Sequence, residues 1–232
     1  MGLKRLFKGL LKIPSLYIEG VKGIFKSLFE NDYDNPKTVF GQNGDTYEER
    51  LGSRGEQMVA NMLNSIKDDG YLINDVLLEY NGRYSQIDHI LLKKSGIYVV
   101  ETKNLSGRIY GKDMDKYWTQ VLSYGDEKHK VYNPVLQNNR HIDVLCHILK
   151  EYGVMFSLII FVQSNIEYID SRYVYTISEA ERSILKRNGI EEYTTSELEV
   201  MYNKLMYFKE NPPCTREEYI AKVNTWHQNE LR

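Results

Sequence analysis

The chain has 232 residues, 42% hydrophobic and 27% charged, with a formal net charge of −2. That length supports one substantial core with an accessory segment, and the composition excludes disordered and fibrous classes. The cysteines, Cys146 and Cys214, stand far apart with no CxxC pattern, which excludes a disulfide framework or zinc cluster and indicates a reducing compartment.

Residues 1–30 form a basic amphipathic unit. Leu3, Leu6, Phe7, Leu10 and Leu11 follow helical spacing, as do Val21, Ile24, Phe25, Leu28 and Phe29, and Pro14 divides two short helices. Lys4, Lys8 and Lys12 line another face. No run has the length of a membrane span, and lysines interrupt the apolar region that a signal peptide needs. The pattern suits a helix lying on an anionic membrane surface. It equally suits a helix pair docked on protein. Residues 30–45 read as a polar connector.

A helix is expected from Gly52, with Val59, Met62, Leu63 and Ile66 on one stripe. A strand over 72–79 follows, then Asn81-Gly82, a hairpin signal. The next elements are a strand over 84–92, a turn at 93–96, the strand "GIYVVETKN", and two short strands in 105–112 and 116–124. Asn133-Pro134 introduces a helix over 135–150, and 153–162 is an apolar strand buried on both faces. A strand at 172–177 precedes helices near 196–208 and 215–230, the last with a Thr215–Glu218 capping box.

This order predicts an α/β protein of the α+β type, a central mixed β-sheet flanked by helices. The expected organisation is a basic extension and connector at 1–45, a core domain at 46–165, and a strand with helices at 166–232 that complete or pack on the core. Charge is unevenly spread. Residues 83–140 carry ten Lys/Arg against six Asp/Glu, whereas 31–82 carry four against ten. A basic centre in an acidic chain hints at a phosphate-bearing ligand.

Hairpin register brings candidate groups together. A symmetric turn at 93–96 sets Asp88 opposite Glu101 and Gln86 opposite Lys103, with all four side chains on one face. Directly opposed carboxylates repel, so a cation is expected between them. All-oxygen ligands favour Mg²⁺, or Mn²⁺, over zinc. The bland alternative is an exposed hairpin end whose charges solvate an edge.

The residues "RGEQMVANML", "QIDHILL", "GIYVVETKNLSGRIYG", "YWTQ" and "YNPVLQNNRH" resemble the nuclease-related (NERD) domain, a branch of the PD-(D/E)xK nuclease superfamily, over roughly 50–165. The resemblance implies a restriction-endonuclease-like core and metal-assisted hydrolysis of phosphodiesters. It matches Asp88 to the motif's lone acid, Glu101-Thr102-Lys103 to (D/E)xK, and Glu56 to the acid of the first helix. Gln137 matches the first position of the superfamily's QxxxY, with His141 where Tyr would stand. Gln120 and Tyr124 carry the letters of that motif in a strand and turn.

The implied site therefore has Asp88, Glu101, the Thr102 carbonyl and Glu56 as metal ligands. Lys103 would orient or deprotonate the attacking water, and Gln137 would orient substrate or water. On spacing alone Glu56 is either a helix-dipole partner or a site residue. Arg83, Lys93, Lys94, Arg108, Lys112 and Lys116 are candidate phosphate contacts, or solvated loop charges. His89 and Trp118 are read as core. The expected partner is nucleic acid, DNA before RNA. The expected place is the cytoplasm, with peripheral membrane or protein contact through 1–30. A catalytically silent nucleic-acid-binding or scaffold module is the alternative.

Overall fold

Two almost fully buried strands set the plan of the protein, Gly96–Lys103 and Met155–Phe161. Both faces of each are apolar, so both must lie inside a sheet covered on its two sides. The computed structural model describes residues 47–122, 125, 127–150 and 153–222. The expected helices at 1–30 lie outside the described residues. No helix among the described residues is long and apolar enough to cross a membrane.

The elements run α1 (Tyr47–Ser65), β1 (Tyr71–Tyr80), β2 (Arg83–Lys93), β3 (Gly96–Lys103), β4 (Arg108–Lys112), β5 (Tyr117–Leu122) and β6 (Glu127–Tyr132). Then come α2 (Pro134–Leu149), β7 (Met155–Phe161), β8 (Ile169–Asp170), β9 (Val174–Thr176), α3 (Ile177–Leu185) and α4 (Thr195–Glu210). Residues 216–222 are also helical.

The main sheet has the order β1-β2-β3-β7-β9. β1, β2 and β3 are antiparallel neighbours, whereas β7 and β9 add in parallel. A parallel step needs a long crossover. Between β3 and β7 that crossover contains both α2 and a second sheet of order β6-β5-β4-β8. The expected mixed sheet flanked by helices is therefore present. α1 packs on β1–β3, α2 on β1–β3 and β7, and α4 on β1 and β2.

Local chemistry sets the element ends. Asn81 (φ 53°) and Gly82 (φ 76°) take the left-handed conformation that a tight hairpin needs. Asn133 caps α2 by accepting from the Val135 N–H at 2.9 Å, with Pro134 next in the chain. Thr215 and Glu218 form the expected capping box, with the Thr215 N–H donating to Glu218 at 2.9 Å. β6 and α3 had no counterpart in the sequence reading. β6 is exposed along most of its length, so it lacks the alternation that marks a half-buried strand.

One irregularity matters for the site. Along β1 the buried positions are Ile73, then Val76 and Leu78, so the alternation slips by one residue. Asp75 sits at the slip with φ 51°. On β2, Ser85 and Ile87 are buried below the same level and Ile90 and Leu92 above it. The pairing keeps one register throughout, with Asn74↔His89 and Val76↔Ile87 flanking Asp75 and Asp88.

Candidate active site

The site grows from the end of the β2–β3 hairpin. Backbone pairing runs from Lys93↔Gly96 to His89↔Val100, the register expected from a two-residue turn. One step further on, Asp88 replaces a backbone acceptor with its side chain. The Thr102 N–H donates to Asp88 Oδ2 at 2.8 Å. The carboxylate is thereby fixed against β3.

Glu101 has no exposed surface. Lys103 Nζ lies 2.8 Å from its Oε1, and His141 Nε2 lies 3.3 Å from its Oε2. A buried carboxylate is tolerated only when charge and hydrogen bonds compensate it, and here one cation and one imidazole do so. The Lys103 ammonium also donates to Gln137 Oε1 at 3.1 Å. His141 Nδ1 meets Ser85 Oγ at 2.5 Å. Ser85 and His141 thus make one buried hydrogen bond, and the far edge of the ring lies against the Glu101 carboxylate. Lys103 keeps 15% of its side chain exposed, so it marks the side from which a phosphate can approach.

α2 supplies two of these groups from adjacent turns of one face, Gln137 and His141. Between them, Asn138 pins the helix to the sheet. Its Nδ2 donates to the Val99 carbonyl and to Ser157 Oγ, each at 2.9 Å. From the other direction, Gly55 of α1 approaches Asn104 so closely that an added Cβ would stand 2.8 Å from the Asn104 Cβ. Asn104 Nδ2 donates to the Leu51 carbonyl at 2.6 Å. The glycine before Glu56 and the asparagine after Lys103 are thus two halves of one packing contact.

Asp88, Glu101, Lys103 and Gln137 come together as expected, and the expected core histidine is one. His89 meets Asn74 Oδ1 at 2.8 Å and Thr102 Oγ1 at 3.2 Å. Trp118 is buried, its Nε1–H donating to the Lys112 carbonyl at 2.9 Å. Glu56 is half-buried on α1. No group of three or more His, Cys, Asp or Glu side chains placed to hold an ion occurs among the described residues.

Three expectations are corrected. Gln86 does not meet Lys103. Its amide donates to Asp75 Oδ1 at 2.7 Å, because the slip in alternation turns Ser85 toward α2 instead. Lys93 is buried and serves the protein itself, bonding the Ile66 carbonyl and, at 2.6 Å, the Asp68 carboxylate. Lys94 pairs with Asp69 at 3.3 Å and Glu191 at 3.8 Å. Both lie at the turn end of the hairpin, away from Glu101. Gln120 lies on a strand as expected, β5, where it bonds the Ser106 carbonyl at 2.9 Å, and Tyr124 lies outside the described residues.

Sequence reasoning missed Ser85 entirely. The signal available was "IND" at 73–75, since Asn and Asp are the non-glycine residues that tolerate the left-handed region.

The donor chemistry fits a hard divalent cation. Asp88, Glu101 and the Thr102 carbonyl offer oxygen only, and Mg²⁺ or Mn²⁺ completes such a set with water.

A mixed sheet flanked by helices, with an acid on one strand and E-x-K ending the next, defines a restriction-endonuclease-like protein. Residues 51–164 match the model of the nuclease-related domain, so this stretch of the chain carries that domain. An uncharacterized protein of Bacillus anthracis is 34% identical over 102 residues, which are 43% of this chain and 47% of that protein. The chain thus spans about half the length of the curated relative it matches. No solved structure matches it.

Proposed function

We propose that the chain is a divalent-cation-dependent nuclease that hydrolyses phosphodiester bonds of DNA. One observation carries the reading. A wholly buried Glu101 stands beside a backbone-anchored Asp88, with the Lys103 ammonium held 2.8 Å from the one and 15% of the Lys103 side chain exposed. A silent binding module has no need to bury two carboxylates at the mouth of a hairpin.

When bound by Asp88, Glu101 and the Thr102 carbonyl, Mg²⁺ or Mn²⁺ supplies Lewis-acid stabilisation of charge at the scissile phosphate. The protein's own groups do the remaining work. Lys103 orients the attacking water and offsets charge on the phosphoryl oxygens. Gln137 accepts a hydrogen bond from Lys103 and so holds the ammonium in line. His141, backed by Ser85, fixes the rotamer of Glu101.

The DNA preference rests on the family resemblance alone. Both free cysteines suit a cytoplasmic setting, and residues 1–30 suit contact with the inner face of the membrane. The test incubates full-length protein with plasmid, linear duplex, single-stranded DNA and RNA, in Mg²⁺, Mn²⁺ or chelator. Cation-dependent DNA cleavage is expected. Cleavage of nothing under any metal overturns the reading, and cleavage of RNA alone overturns the substrate.

A further inference from the structure

The second sheet leaves the main sheet just after Lys103 and returns at Asn133, immediately before the helix that carries Gln137. Side-chain amides tie both its ends to the body of the protein. Asn165 Nδ2 donates to the Leu105 and Gly107 carbonyls at 3.0 and 2.6 Å. Asn133 Nδ2 donates to the Lys112, Asp113 and Asp115 carbonyls at 3.2, 3.0 and 2.7 Å. Its inner face is sealed. Ile109 and Trp118 are buried, and Trp118 lies so close to Gly111 that no Cβ fits there.

The outer face is built differently. Cross-strand pairing puts Arg108, Val121 and Lys128 in one row and Tyr110, Thr119 and Lys130 in the next. Tyr110, 38% exposed, stacks on Tyr168, 46% exposed, with centroids 4.8 Å apart. Tyr117, 41% exposed, has the Lys116 and Lys130 ammonium groups 5.5 and 5.8 Å from its ring. Exposed rings and cations thus share one face of the sheet.

We propose that this outer face binds single-stranded nucleic acid. Unpaired bases offer π-faces to the tyrosines while successive phosphates meet the cations. In a duplex the bases are already stacked, so the rings would find no partner. The role of the site itself rests on the nuclease reading; the binding face does not.

The test uses the full chain in chelator, fluorescein-labelled oligothymidine, a labelled duplex of equal length, and fluorescence anisotropy. The single strand is expected to bind tighter than the duplex. Tyr110→Ala weakens single-strand binding about tenfold, as loss of one stacked base does, and Tyr110→Phe restores it. The Lys128→Ala/Lys130→Ala pair flattens the slope of log K against log salt by about 1.4, the value for two phosphate contacts on a single strand. Lys186→Ala, exposed at the end of α3, binds as wild type. The proposal is overturned if Tyr110→Ala binds as wild type, or if duplex binds as well as single strand. Absence of oligonucleotide binding also overturns it and leaves the face to a protein partner. Cleavage is not read, so failure of the nuclease reading leaves these results unchanged.

Discussion

His141 Nε2 lies 3.3 Å from Glu101 Oε2, and neither side chain has any exposed surface. An imidazole placed there is neither solvent-facing acid nor open ligand. It lies against a carboxylate that stays buried where the sheet would otherwise demand an apolar residue.

Removing that imidazole should therefore unsettle both fold and site. His141→Ala removes a wholly buried ring packed against Glu101 and leaves a cavity, which costs about 2–5 kcal/mol. Ser85→Ala removes only the hydrogen bond to that ring and should cost about 1 kcal/mol. Urea unfolding of the two variants measures both. Equal and negligible losses would contradict the packing of Ser85, His141 and Glu101.

Asp88 has two roles that substitution can separate. Asn in its place can still accept from the Thr102 N–H, which the wild type holds at 2.8 Å. Asp88→Asn should keep stability within about 1 kcal/mol and lose Mn²⁺ binding by calorimetry, because the charge that attracts the cation is gone. Asp88→Ala should lose both. Undiminished Mn²⁺ binding in Asp88→Asn would remove Asp88 from the ligand set.

How much of this was legible in the sequence depends on which force set each feature. Hairpin register follows from a short turn and two buried strands, so Asp88 and Glu101 could be brought together before any coordinates. The helical stripe likewise placed Gln137 and His141 inward. What was not read was the slip at Asp75, whose marks are the Asn74-Asp75 pair and the three-residue step from Ile73 to Val76. That slip exchanges Ser85 for Gln86 beside α2. β6 was invisible for another reason. "EKHKVY" is held by pairing with β5 rather than by burial, so its letters carry no period.

The second sheet depends on a close approach. A Cβ at Gly111 would stand 2.2 Å from Trp118 Cγ, with the indole enclosed on its other sides. Gly111→Ala should destabilise the protein by about 1–3 kcal/mol, the usual cost of overpacking. A calorimetric melt that matches wild type would contradict this packing.

Acid should weaken two helix starts. The Thr176 N–H and hydroxyl bonds hold the Glu179 carboxyl below its usual value of 4.5, and Thr194 does the same for Glu197. A carboxyl whose folded value is depressed stabilises above its unfolded value and loses that effect as pH falls through the folded one. The stability difference between wild type and Glu179→Gln should therefore grow as pH rises to about 5 and then stay constant. A difference independent of pH would contradict the capping assignment.

The central claim is that Glu101 and Lys103 form a working phosphodiesterase site. The most direct measurement is a cleavage time course on one DNA substrate in Mg²⁺, with wild type, Lys103→Ala and Glu101→Gln run side by side. The account predicts cleavage by wild type and a loss of at least about a hundredfold in each variant, the scale for removing one charge-stabilising group. Three equal rates, whether all active or all silent, would contradict it.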